Sequence, residues 1–331
     1  MGPNHNSGNM PQENGENLKF GINGGNLELP DEHIMKEKNE NPPSPDYNDR
    51  DKPKASLSPE EQNDPNAIRV TIADDKTPVV VFFGPPACGK TMTLIRLTSY
   101  LRKNGYTITP VTSFRPSYDT NYKRVCDDFN SIVTSFDAAK STPHIDFMLV
   151  QVLTPNGRAL CQILEGPGEY YFNPECPDDP FPAYVNTIIN CGNRKIWTIF
   201  VEPDGTSKAS SQSARENYVL RIKDLKTRFK TRDKVIFLFN KVDITPYVMS
   251  PGRVNEHELA RHTNNVYRGI FDSFKNVHPI TKIWRTYNCK FLPFQTGNYT
   301  KTVTGGLTYQ EGPDEYPRMF WKKLLSLIKG S

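Results

Sequence analysis

The chain has 331 residues, 41 Lys/Arg against 37 Asp/Glu, and six cysteines. That length suits one large domain or two small ones. No apolar run approaches the ~18 residues of a membrane helix, and no basic-then-apolar leader opens the chain, so a cytoplasmic protein is expected. The cysteines, at 88, 126, 161, 176, 191 and 289, form no CxxC pair and have no His cluster beside them. Reduced thiols are therefore expected rather than a zinc site or a disulfide framework. Asn6 stands where an N-myristoylation motif needs Ser or Thr.

The charge is unevenly spread. Residues 1–65 carry 6 Lys/Arg and 13 Asp/Glu, a balance of −7, which leaves +11 on the remainder. Residues 1–66 are rich in Asn, Gly, Pro and Glu, as in "ENPPSPDYNDRDKPK". Apolar residues are too sparse there to offset the entropy of ordering, so a disordered acidic tail is expected. A short partner-binding motif around "LKFGINGGNLELP" is the alternative. The basic remainder suits a phosphate-binding domain; no nucleic-acid-binding signature accompanies the charge.

Residues 67–331 read as one domain. "IRVTI" from Ile68 suggests a short edge strand. "TPVVVFFG" has the continuous β-branched and aromatic character of a strand buried on both faces. After a glycine-bearing loop, "TMTLIRLTSYLRKNG" places Leu94, Ile95, Leu97, Thr98 and Leu101 on one helical stripe and stops at Asn104-Gly105. "YTITPVTSF" predicts a further strand, and about 121–139 a helix. "HIDFMLVQVLTPNGRALCQILEGPGE" predicts two strands joined at Asn156-Gly157, a strong hairpin signal. "KIWTIFVE" and "KVIFLFN" are buried-type strands separated by a helix at about 211–229; "KFLPFQ" is the last strand. "DEYPRMFWKKLLSLIKG" closes the chain as an amphipathic helix.

Two motifs carry chemistry. Gly84 to Thr91 fits G-x-x-x-x-G-K-[ST] between a strand and a helix. In such a loop (here Gly84, Ala87, Cys88 and Gly89) backbone N–H groups cradle phosphates, a lysine such as Lys90 reaches the β/γ-phosphates, and a hydroxyl such as that of Thr91 ligates Mg²⁺. "FLFNKVD" places Asn240, Lys241 and Asp243 at a strand end. An Asp carboxylate there can accept from N1–H and the 2-amino group of guanine. Adenine offers neither donor, and the carboxylate would stay unpaired.

In these motifs and their order the chain resembles the Ras-like P-loop GTPases of the translation-factor class over about residues 77–329, and among them the divergent GTPase-like proteins of bacterial multi-gene systems. The resemblance implies a three-layer α/β P-loop NTPase fold, its sheet mostly parallel with one antiparallel hairpin strand. It implies insertions near 106–140 and 247–282, the latter a candidate partner surface. The family's D-x-x-G becomes Glu165-Gly166-Pro167-Gly168: Glu165 would hold Mg²⁺ through water, and the Gly168 N–H would meet the γ-phosphate. Glu169 occupies the place of the water-positioning Gln. Thr142 fits the first switch, with Ser141 the fallback, and would complete the metal set with Thr91 and Glu165. Thr296, in Gln295-Thr296-Gly297, falls where a backbone N–H reads guanine O6. Arg115 and Arg124 are candidates for an arginine supplied in cis, or plain surface residues. The expected activity is GTP/GDP binding with Mg²⁺ and slow hydrolysis, Lys90 and Glu169 being the catalytic candidates and the switch loops the protein-binding ones. The alternatives are a GTP-locked scaffold and an ATPase or kinase of the same fold.

Overall fold

The computed structural model describes residues 57–134, 147–174, 176–204, 211–278, 286–301 and 307–330. At its centre are five parallel strands ending at one edge of the sheet. β1 (Val79–Phe83) is buried along its whole length, as its unbroken apolar run requires. It is flanked by β4 (Ala159–Glu165) and β5 (Lys195–Val201), followed outward by β6 (Lys234–Phe239) and β9 (Lys290–Pro293). On the other side β3 (Met148–Leu153) runs antiparallel to β4 through the Asn156-Gly157 turn, and β2 (Thr107–Pro110) runs antiparallel to β3. The full order is β2-β3-β4-β1-β5-β6-β9.

Helices cover both faces. α1 (Pro59–Asn63) opens the described chain; α2 (Lys90–Lys103) follows β1 and α3 (Thr120–Thr134) follows β2. α4 (Gly168–Tyr171) is a single turn after β4, and α5 (Ala183–Asn190) leads into β5. α6 (Gln212–Thr227), α7 (Glu256–Val266) and α8 (Glu315–Lys329) complete the layers. Two small ribbons lie outside the main sheet: β7 (Val248–Ser250) with β8 (Arg253–Val254), and β10 (Gly297–Lys301) with β11 (Leu307–Glu311). Aromatic residues fill the core; the Phe83 ring alone meets Tyr171, Phe181, Trp197 and Tyr218. Strand order and layering make this a three-layer α/β P-loop fold with one antiparallel strand in the hairpin and an added edge strand, β2.

Three expectations change. The tail assigned to 1–66 lies outside the described residues up to 56, but its last ten residues are folded. Ser58 and Glu61 form a reciprocal cap on α1, and Leu57 is buried in the core. Residues 68–72 form no strand: Thr71 N–H donates to the Phe114 carbonyl at 2.8 Å, and Ile68 is buried as a packing residue. Arg115 is not a free arginine. Its buried guanidinium pairs with Glu61 at 2.5 Å and Asp119 at 2.8 Å and donates to the Arg69 carbonyl at 2.8 Å, tying α1 to the insertion. Arg124 is exposed on α3.

Candidate functional site

Gly84 and its successors turn sharply at the carboxyl end of β1. Pro85 and Pro86 carry no N–H, so any cradle must come from Ala87 onward. Ala87 and Gly89 adopt positive φ, 61° and 89°. Among the described residues, no protein acceptor takes the backbone N–H groups of residues 87–91. No side chain caps α2 and its first turn holds no acid. The positive end of the helix dipole thus faces the loop, with the Glu165 carboxylate, bonded to Thr91, beside it.

The loop's own charged groups are engaged. Lys90, 5% exposed, donates from Nζ to the carbonyls of Gly84 (3.2 Å) and Pro85 (3.0 Å). Thr91 donates from Oγ1 to Glu165, and both are buried. Gly168 presses against this loop. A Cβ on it would stand 2.4 Å from the Pro86 nitrogen and 2.7 Å from Lys90 Nζ, so only glycine fits. Cys88 is buried, and burial pushes its thiol up to about 11, which keeps it protonated.

The NKxD segment meets the same loop. Buried Asn240 donates from Nδ2 to the Cys88 carbonyl at 2.7 Å. A Cβ on Gly89 would come within 2.2 Å of that nitrogen. Lys241, at φ 55°, donates to the Ala87 carbonyl at 3.2 Å and pairs with buried Glu202 at the end of β5. These bonds bring the two motifs onto one cavity of about 590 Å³. Ala87, Gly89, Lys90 and Thr91 line one side; Asn240, Lys241, Asp243, Thr296 and Tyr299 line the other. Asp243 remains open to solvent. Even so, the water its neighbours displace raises its carboxyl above the usual value, against the pull of a backbone hydrogen bond and Lys241.

Eight expected residues therefore line the cavity: Ala87, Gly89, Lys90, Thr91, Asn240, Lys241, Asp243 and Thr296. Gly84, Cys88, Glu165 and Gly168 support it from behind. Glu169 is exposed on α4 and does not line it. Thr142 lies outside the described residues. Sequence reasoning missed Glu202, although a carboxylate closing the apolar run "KIWTIFVE" was a visible signal. It also missed Tyr299 and the β10–β11 ribbon.

No protein-family model matches the chain, and no curated protein matches it either. Among solved structures it is similar to nucleolar GTP-binding protein 1 of Plasmodium falciparum, with 15% identity, 78% of this chain and 90% of that one covered, and a TM-score of 0.38. It is similar to the Ski7 GTPase-like domain of S. cerevisiae, bound to GDP and inorganic phosphate, with 14% identity over 77% of this chain and 50% of that one, and a TM-score of 0.38. A third is Roco2 RocCORdC of Methanosarcina barkeri bound to GDP, with 12% identity over 78% and 51% and a TM-score of 0.29. All three are GTP-binding or GTPase-like proteins, or were seen with GDP. At such low overlap the reading of the site rests on this chain's own geometry.

Proposed function

We propose that the chain binds a guanine nucleotide with Mg²⁺ in this cavity and hydrolyses GTP slowly. The observation that carries the reading is the meeting of the two motifs. The loop of residues 87–91 and the Asn240–Asp243 segment share one cavity, joined by the Asn240–Cys88 and Lys241–Ala87 hydrogen bonds. The first supplies N–H groups, an ammonium and a helix N-terminus for phosphates. The second supplies a carboxylate for the N1–H and 2-amino donors of guanine.

The metal fits the donor set. Thr91 and Glu165 bring a hydroxyl and a carboxylate into contact beside Lys90, hard oxygen ligands of the kind Mg²⁺ takes when phosphates and water provide the rest. When bound, the ion would neutralise charge on the β- and γ-phosphates. Lys90 would leave the carbonyls of Gly84 and Pro85 for the phosphates. That exchange is favourable because the ammonium trades neutral carbonyl acceptors for anionic phosphate oxygens, which add a direct charge–charge attraction. In hydrolysis water attacks the γ-phosphorus in line. The bond to the β–γ bridging oxygen breaks, and Lys90 with the loop N–H groups stabilises the negative charge that develops there. Slow turnover follows from Glu169, an exposed carboxylate where a neutral amide would orient the water.

The decisive test is a nucleotide exchange at Asp243. The wild type should bind GDP and GTP far better than ADP or ATP. Asp243→Asn should weaken GTP by at least roughly tenfold, about 1.4 kcal/mol for a lost charge-assisted pair. It should gain xanthosine triphosphate, whose 2-carbonyl accepts from the new amide. ATP displacing GTP from the wild type would overturn the guanine reading. Single-turnover hydrolysis of bound GTP separates a slow enzyme from a GTP-locked scaffold.

A further inference from the structure

Among the described residues the cavity lining has one aromatic side chain, and neither motif accounts for it. Tyr299 is 42% exposed, one of few large apolar residues left so open among the described residues. It lies on β10, in the ribbon that follows the last strand of the sheet, and lines the cavity with Asp243, Ile244 and Thr296. An exposed aromatic on a loose loop would mean little, but this one is held.

Its ring packs on Tyr309, its register partner across the ribbon, with centroids 5.3 Å apart and planes at 43°. Tyr309 is buried and donates its hydroxyl to the Thr296 carbonyl at 3.0 Å. Gly297 permits the close approach at the base of the ribbon: a Cβ there would fall 2.5 Å from the Tyr309 ring and 2.2 Å from the Gln310 carbonyl. On the other strand Glu311 accepts from Ser99 and Lys103 of α2, each at 2.5 Å. Buried Arg96 of the same helix donates to the Gly312 carbonyl at 2.7 Å and pairs with Asp314. The ribbon is therefore braced against the helix that begins at the phosphate loop. The water its neighbours displace raises the Tyr299 phenol, a hydrogen bond with Thr296 opposes this, and the Asp243 charge adds to the rise.

We propose that Tyr299 is the stacking wall for the purine ring, and that the β10–β11 ribbon is a base-holding element built into the connection between β9 and α8. The inference rests on the guanine-nucleotide reading and adds a second contact to the same base. Asp243 engages the edge of the ring, and Tyr299 covers a face. The two side chains lie on different segments, one following β6 and one following β9. Because Tyr309, Gly297 and the α2 contacts fix the wall beforehand, little side-chain ordering remains to be done on binding.

The test uses the full chain, GDP, and tripolyphosphate as a ligand with no base, each titrated by calorimetry. Tyr299→Ala should weaken GDP by about tenfold or more, in the range of one base–aromatic stack, and leave tripolyphosphate unchanged. Tyr299→Phe should restore GDP affinity to within about twofold, because the π face and not the hydroxyl makes the contact. Tyr299→Trp should bind GDP with a change in indole fluorescence that tripolyphosphate does not cause. Thermal melting of each variant checks that the ribbon is folded. If the wild type binds GDP and Tyr299→Ala binds it equally well, or loses both ligands in equal measure, the stacking role is overturned while the guanine reading stands. If the wild type binds GDP no better than tripolyphosphate, both fall.

Discussion

In the phosphate half of the cleft the reactive groups already have protein partners. Lys90 lies on the carbonyls of Gly84 and Pro85, Thr91 donates to Glu165, and Gly168 is pressed against Pro86. In the base half, Asp243 and Tyr299 border the same cavity, and Tyr299 is braced from behind by Tyr309. The two halves thus bind in different ways. At Lys90, phosphate binding must exchange existing hydrogen bonds for stronger ones, while the N–H groups of residues 87–91 have, among the described residues, no bonds to give up. The base enters a surface that is already formed.

The largest expected effect breaks the phosphate half directly. Lys90→Ala removes the ammonium that would pair with the phosphates. A hydrogen bond to a charged group contributes about 1.5–3 kcal/mol, so GDP and tripolyphosphate should both weaken by roughly 10- to 100-fold. Calorimetry with the two ligands checks this. Binding of both within a few-fold of wild type would mean that the closed loop is not where phosphates go. Tyr299→Ala should spare tripolyphosphate, so the two variants assign each half its own ligand fragment.

Gly168→Ala tests how firmly the phosphate half is closed. The added methyl would meet backbone atoms of Pro85 and Pro86 at 2.5 and 2.4 Å, which cannot yield as a flexible side chain can. Either the loop around α4 lifts or the phosphate loop shifts. Overpacking of this kind costs about 1–3 kcal/mol, measurable as a lower urea midpoint without ligand. An unchanged midpoint would show that the contact is already loose and that the closed half is closed only in part.

The same division governed what could be read from the sequence. The phosphate half was legible because its chemistry is local. Gly84 to Thr91 are consecutive, and their spacing alone specifies a loop that turns at Gly89 into a helix. The central strands were legible because burial on both faces leaves an unbroken apolar run, as at Val79–Phe83. The base half was legible only at Asn240–Asp243. Glu202 acts through Lys241, from the neighbouring strand. Tyr299 depends on Tyr309 ten positions later and on Arg96, Ser99 and Lys103 of a helix some two hundred residues earlier. The alternating "GNYTK" and "LTYQE" around Gly305-Gly306 carried a hairpin signal, but not which helix would brace it. Arg115 misled for the same reason. An arginine in an insertion suggests a mobile cation, and only the fold brings Glu61 and Asp119 to it.

The smallest effect expected, and the one confined to the base half, is a pH dependence set by Asp243. Displaced water raises its carboxyl above the ordinary 3.8. In the unfolded chain the group keeps that ordinary value, so without ligand its ionisation opposes folding. Its favourable share of stability is complete below 3.8 and is lost as pH rises through the raised folded value. Asp243→Asn should therefore make the ligand-free protein slightly more stable than wild type at neutral pH. The difference should vanish below the ordinary carboxylate value. Ligand affinity runs the other way. Guanine donates to the ionised carboxylate, so GDP binding should weaken as pH falls through the raised value, by at most about tenfold per pH unit for a single proton. Asp243→Asn starts from lower affinity and lacks this limb, while protons taken up by the phosphates of GDP affect both proteins equally. The measurement is the ratio of GDP affinities, wild type over variant, from pH 7 down to 4. A ratio that falls towards one on acidification ties the base to the Asp243 carboxylate. A ratio that stays flat across the range would mean the carboxylate does not touch the ligand, and the open half of the cleft would need another occupant.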